Sequence, residues 1–342
     1  MKKILQTTLL IAASVLALSM SAAGAIAEEL RILSWQGYAD EDGVKEFEEE
    51  TGADVNVVFI GTDDEIWAKI KGSEGKDFDL IAVNTAQLQR YIDAGLVTPH
   101  DMDKLPNQKE TLPRFRDLTT VQGTMRDGKV YGIPFAFDTI GIIYDTDKVK
   151  TPPTSWDVFY SDEYKGRILG YDNGEHNFSI TALDMGIEDP FHLSDEQLQA
   201  AKDKLIGMKH NLLSLYSTAD EALQLYQQND IAIIWANYGQ QQVKMMKAAG
   251  APIAYINAKE GALAWLDTWA ITSGVQNQDL AEKWVDFVLQ KKISGALSER
   301  QGFGNTAVEF ASAGPDDKIV WLDSVEDPTK RADLWNEVKA AP

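Results

Sequence analysis

The chain of 342 residues contains no cysteine. Disulfide bridges, thiolate nucleophiles and cysteine metal sites are therefore excluded, whichever compartment the protein occupies. Histidine is nearly as scarce. His100, His176, His192 and His210 are the four present, and no two lie at the i, i+3 or i+4 spacing of a helical metal pair. Glu175 and His176 are adjacent, a spacing that rarely converges on one ion without further ligands. The sequence has no G-x-S-x-G, no P-loop and no G-x-G-x-x-G. "GFGNT" (302–306) is too short to cradle a phosphate and reads as a turn. "DEDG" (40–43) opens like a calcium loop but lacks the rest of the twelve-residue pattern, so it reads as a helix start. No cofactor is expected. Positive charge is also short: 32 Lys and Arg stand against 53 Asp and Glu, a net charge of −21. Such a body repels nucleic acid and anionic membrane surfaces.

Long apolar runs are missing beyond the N-terminus. There, Lys2 and Lys3 precede an apolar run from Leu9 to Leu18 and a small-x-small ending, Ala25-Ile26-Ala27. This is the layout of a secretory signal over 1–27, cleaved before Glu28. The run is short of the ~20 residues of a membrane span. Without Lys2 and Lys3 the net charge becomes −23. The exported remainder exceeds what one hydrophobic core usually holds, which predicts two lobes.

What is present is an alternation of apolar strands and amphipathic helices. Strands are predicted at 30–35, 54–60 and 78–83, with helices at 40–52, 63–72 and 85–95. This pattern gives a parallel or mixed sheet covered on both faces. Two extended segments meet over 130–149 and read as a crossing between lobes. A second α/β region follows. Its predicted parts are a helix near 154–161 with Thr154 and Asp157 at capping-box spacing, helices at 194–208, 218–228 and 237–249, and a strand at 231–236. The helix at 278–290 presents Leu280, Trp284, Phe287 and Val288 on one face.

Four stretches combine carboxylates with aromatics near predicted strand ends, where open α/β sheets bind ligands. "SWQGYAD" carries Trp35 and Tyr38, and "LGYDNGEHNF" carries Asp172 and Glu175 in a turn. "IIWANYG" carries Trp235, and "AWLDTW" carries Trp265, Asp267 and Trp269. Indole faces attract cations by roughly 0.5–2 kcal/mol each, and carboxylates add charge-assisted hydrogen bonds to N–H groups. The composition suits an alkylammonium and repels an anion. Asp267 is the hardest to explain otherwise, because an unpaired aspartate inside an apolar strand is costly. Trp269 lies deeper in its apolar run and reads as core. Trp67, Trp156, Trp284, Trp321 and Trp335 are assigned to packing.

At these residues the chain resembles the periplasmic spermidine/putrescine-binding proteins of ABC transporters. The shared features run in order through Trp35 and Tyr38, "FDLIAVNT" (78–85), "TSWDVFYSDEYKGRIL" (154–169), Asp172 and Glu175, Trp235, and "KEGALAWLDTWAI" (259–271). The resemblance implies a two-lobed periplasmic-binding-protein fold, each lobe a central mixed sheet flanked by helices, closing on its ligand about hinge crossings. The division is expected as 28–138 with 268–306 for the first lobe and 139–267 with 307–342 for the second. It implies ligand contacts from Trp35, Gln36, Tyr38, Asn84, Asp172, Glu175, Trp235, Trp265, Asp267 and Phe303, with the amine cargo passed to a membrane permease by a monomer without catalysis. Two positions depart from the family. Gly37 stands where an acidic residue usually precedes the tyrosine, and Ala86 replaces an aromatic. Asp138 or Asp40 is the candidate replacement for the missing acid. The alternatives are a receptor for a 4-aminobutyrate-like zwitterion or quaternary amine, and an exported hydrolase using Asp172 and Glu175 as an acid–base pair.

Overall fold

The computed structural model describes residues 27–310, 313–314 and 316–342. The signal expected over 1–27 thus lies, but for Ala27, outside the described residues. Among them, no helix is long and apolar enough to cross a membrane.

The first half of the chain lays down β1 (Glu29–Trp35), β2 (Asp54–Ile60), β3 (Leu80–Asn84) and β4 (Val97–Thr98), then a small hairpin of β5 (Met125–Arg126) and β6 (Lys129–Val130), and β7 (Ile133–Thr139). β8 (Gly141–Asp145), β9 (Ile168–Tyr171), β10 (Leu212–Tyr216), β11 (Ile233–Ala236) and β12 (Ile253–Ile256) follow. The long β13 (Ala262–Thr272) and the short β14 (Gly304–Asn305) and β15 (Ile319–Trp321) complete the set. One sheet has the order β14-β7-β13-β3-β1-β2, with β4 and β15 also paired to β13. β1 runs parallel to β2 and β3, while β13 is antiparallel to β3 and β7, so the sheet is mixed. The second sheet, β10-β9-β11-β8-β12, is also mixed. The predicted α/β class and two-lobed architecture are what the chain adopts.

Helix boundaries follow their caps. Asp40 accepts from Gly43 N at 2.9 Å and starts the helix Glu41–Thr51, so "DEDG" is a helix start as read. Ser194 and Gln197 form a reciprocal capping box on Asp195–Lys209. The helix expected near 154–161 is a 3-10 turn, Trp156–Tyr160, and its cap is Ser155, not Thr154. β3 begins two residues later than expected because Asp79 is an anchor instead. Its carboxylate accepts from the backbone N and the guanidinium of Arg31. The apolar face of Gln278–Val288 is buried as predicted, with Trp284 edge-on to Phe47 and to Trp269.

The passages between sheets set the geometry of the cleft. Ile140 alone separates β7 in the first sheet from β8 in the second. The return passage is 257–261, because all of β13 belongs to the first sheet. The boundary drawn after Asp267 therefore falls inside a strand. The one drawn after Thr306 precedes β15, which also joins the first sheet. The final helix, Pro328–Ala340, packs on Gly174–Asp184 and Asp195–Lys209 of the second lobe. Its buried Arg331 is held by Glu326, by Ser179 Oγ and by the carbonyls of Glu175, Pro190 and Phe191.

Asp138, at the end of β7, fastens the first crossing. It is fully buried, and it accepts from Thr139 N at 2.8 Å and from Gln240 N at 2.7 Å. It thereby caps the helix Gly239–Ala248 of the other lobe, and burial pushes its carboxyl up to about 8. Gly239 makes this possible with a φ of 52°, and a Cβ there would lie 2.4 Å from Asp138 Cγ. Gly239→Ala should therefore lower stability by about 1–3 kcal/mol or more. Urea unfolding with an unchanged midpoint would count against this role.

Candidate ligand-binding site

The side chains that meet between the sheets come from strand ends and the turns just past them. β1 ends on Trp35, and Tyr38 follows in the next turn. β3 ends on Asn84, and β11 is followed by Asn237 and Tyr238. Trp265 and Asp267 share one face of β13, two residues apart. Together with Asp63, Tyr171, His176 and Gln241 they line a narrow cavity.

Asp267 is 6 % exposed. Tyr38 donates its hydroxyl proton to Oδ2 at 2.6 Å, and among the described residues nothing donates to Oδ1 or forms a salt bridge with it. Burial pushes this carboxyl up to about 8, against the opposing pull of the Tyr38 hydroxyl. Burial, then the neighbouring Asp267, raises the Tyr38 phenol, which keeps it a donor. Phe303 is buried behind Tyr38, ring centroids 4.9 Å apart, and supports the ring instead of lining the cavity. Trp269 is core, between Phe135 and Trp284.

Asn84 stands opposite Asp267 across the β13–β3 pair, and its amide donates to Asp63 Oδ1 at 2.9 Å. Asp63 opens the helix Asp63–Gly72, is 6 % exposed, and forms no ion pair among the described residues. The Arg90 guanidinium reaches its main-chain carbonyl at 3.2 Å, not its carboxylate. Burial raises the Asp63 carboxyl to about 6. His176 Nδ1 lies 3.0 Å from Asn237 Oδ1, an acceptor, which places the ring proton on Nδ1 and leaves Nε2 as a lone pair. Burial lowers the His176 pKa and keeps the ring neutral.

Hydrogen bonds join the two lobes around the cavity. Trp265 Nε1 donates to Asn237 O at 3.2 Å, Tyr171 OH to Gly61 O at 3.2 Å, and Gln241 Nε2 to Gln36 O at 3.0 Å. Gln87 Nε2 donates to Glu175 at 2.6 Å. The lobes are closed on one another.

Of the residues expected at the ligand, Trp35, Tyr38, Asn84, Trp265 and Asp267 share this cavity. Gln36 does not line it; its main-chain carbonyl accepts from Gln241, and the residue lines a separate recess with Ile60, Lys244 and Arg300. Trp235 does not reach it, because its ring is packed on Trp156 and Phe159 in the core of the second lobe. The same motif delivers Asn237 and Tyr238 instead. Asp172 and Glu175 lie in an adjacent recess with Thr62, Asp63, Asp64, Trp335 and Lys339. Asp172 accepts from Trp335 Nε1 at 2.6 Å and Lys339 Nζ at 3.1 Å. Glu175 sits in the first turn of Gly174–Asp184, not in the preceding turn. Neither proposed substitute for the missing acid lines the cavity. Asp40 is held by Arg300 at 2.7 and 2.9 Å, and Asp138 is occupied with the crossing. Gly37 has a φ of 91°, and a Cβ would lie 2.7 Å from Gln301 and 2.8 Å from Gln241. An acidic side chain is strained at this position, whereas Asp63 supplies a second carboxylate from another element. The sequence hides Asp63 because it is one of three consecutive acids in a helical first turn, which the macrodipole alone would explain.

The chain is 27% identical over 312 residues to the putrescine-binding periplasmic protein of Escherichia coli (strain K12), covering 86% of this chain and 82% of that one. It is 25% identical over 296 residues to a spermidine/putrescine-binding periplasmic protein of Haemophilus influenzae, covering 86% and 79%. Its fold superimposes on a putative spermidine/putrescine ABC transporter protein from Listeria monocytogenes with a TM-score of 0.80 at 23% identity, over 92% of this chain and 99% of that chain. The family model for the bacterial extracellular solute-binding proteins matches residues 43–320. With four-fifths of its length inside that match and its carboxylates and indoles gathered where the two sheets meet, the chain belongs to the bacterial extracellular solute-binding proteins.

Proposed function

We propose that the protein is the periplasmic receptor of an ABC importer and that its cavity holds a polyamine or related small alkylammonium. The observation that carries this reading is Asp267, a buried carboxylate with no cation beside it among the described residues, set among Trp35, Tyr38 and Trp265. Burying an unpaired carboxylate is costly, and an ammonium removes that cost while the indole faces cover its methylenes. The putrescine- and spermidine/putrescine-binding relatives support the same ligand class. The receptor acts as a monomer, exported by its N-terminal segment, and passes its cargo to a membrane permease.

Hydrolysis finds little support. Asp172 is tied to Trp335 and Lys339, and Glu175 to Gln87, so the two are not poised as an acid and a base on one substrate. A zwitterion such as 4-aminobutyrate would need a donor for its carboxylate, and no Arg or Lys lines the cavity.

A ligand that binds the folded state raises the melting temperature. In a thermal-shift series, putrescine or spermidine should raise it, and 4-aminobutyrate and sugars should not. A response to sugars alone would overturn the amine assignment.

A further inference from the structure

We infer that Asp63 is the specificity-determining anchor for a second ammonium, so that the cavity selects a short α,ω-diamine over a monoamine of equal length. This rests on the amine reading of the cavity and goes beyond it, by fixing how many cationic ends the ligand carries and which residue reads the second.

Asp267 and Asp63 line the same cavity from different elements, β13 and the helix Asp63–Gly72. One side chain stands between them. Asn84 is the cross-strand partner of Asp267, and its amide is spent on Asp63 Oδ1. Cross-strand partners hold their Cβ atoms about 5 Å apart, and Asn84 bonds Asp63 directly at 2.9 Å, so the two carboxylates flank a single side chain, within reach of the two ends of a short ligand. Among the described residues each keeps one oxygen without a donor: Tyr38 satisfies Asp267 Oδ2 and Asn84 satisfies Asp63 Oδ1. Every other group at the cavity is neutral or aromatic. Among the described residues no Arg or Lys lines the cavity, although both acids are more than nine-tenths buried; the Arg90 guanidinium, outside the lining, offsets only part of the burial of Asp63. The two carboxylates repel, and Asp63 contributes to the raised Asp267 carboxyl. A dication relieves both desolvation and repulsion. A monoamine leaves one acid uncompensated, and an amino acid sets its own carboxylate against it.

The test is calorimetry at pH 8 on the wild type and Asp63→Asn, each titrated with putrescine and with butylamine. Asparagine keeps the shape and the acceptor for the Asn84 amide, and butylamine binding reports that the cavity is intact. The wild type is expected to prefer putrescine by tenfold or more. Asp63→Asn should weaken putrescine by at least tenfold, leave butylamine within threefold, and so collapse the preference. Equal loss of both ligands would make Asp63 a structural residue and overturn the inference, as would an undiminished preference. If the wild type bound neither amine, the reading of the cavity itself would fail, a different result from either.

Discussion

Asp267→Asn is expected to weaken binding of a diamine by about 10- to 150-fold at pH 8. A hydrogen bond to a charged group carries ~1.5–3 kcal/mol, and about 1.4 kcal/mol is a factor of ten in affinity. The substitution is close to isosteric, and the Tyr38 hydroxyl can still donate to the side-chain oxygen it now meets at 2.6 Å. The wall of β13 therefore stays in place while the charge disappears. The free protein should be no less stable than the wild type at that pH, because a buried carboxylate without a cation is removed. Loss of affinity with retained or improved stability would separate a ligand contact from a packing defect. Unchanged affinity by calorimetry would remove Asp267 from the site.

The second large effect is on pH. With the cavity empty, burial holds the carboxyl of Asp267 up to about 8 and that of Asp63 at about 6. An alkylammonium stays protonated through this range, as a lysine does. It pairs with the carboxylate, not the acid, so binding expels a proton wherever the free site holds one. Affinity should rise by about tenfold per pH unit between pH 6 and 8 and level off above 8. Enthalpies in buffers of different ionisation heat should differ by close to one proton at pH 7. Asp267→Asn should flatten the profile over that window. A pH-independent affinity between 6 and 8 would mean that Asp267 is already ionised in the free protein.

The stability of the free protein follows the same linkage with the opposite sign. A carboxyl whose folded pKa lies above its unfolded value binds more protons folded than unfolded. Its contribution is lost as pH rises from about 4 toward 8 for Asp267, and from about 4 toward 6 for Asp63. The melting temperature of the ligand-free protein should fall over that window, while saturating diamine restores it most at the alkaline end.

Legible in the sequence alone were the alternation of strands and helices, the helix start at Asp40, and the carboxylate Asp267 inside an apolar strand. These are local: periodicity and capping act over a few residues, and a polar group in an apolar run stands out wherever the chain goes. The tertiary structure decided what depends on contacts distant in sequence. Trp235 and Tyr238 are three residues apart, yet Trp156 and Phe159 draw the first into the core while the strand end carries the second to the cleft. Asp172 resembles a ligand group until the C-terminal helix brings Trp335 and Lys339 to it. Asp63 resembles an ordinary first-turn acid until β13 sets Asp267 opposite Asn84. A residue's burial and partners are fixed by which sheet its strand joins, and that choice belongs to the packed molecule, not to any short stretch of its chain.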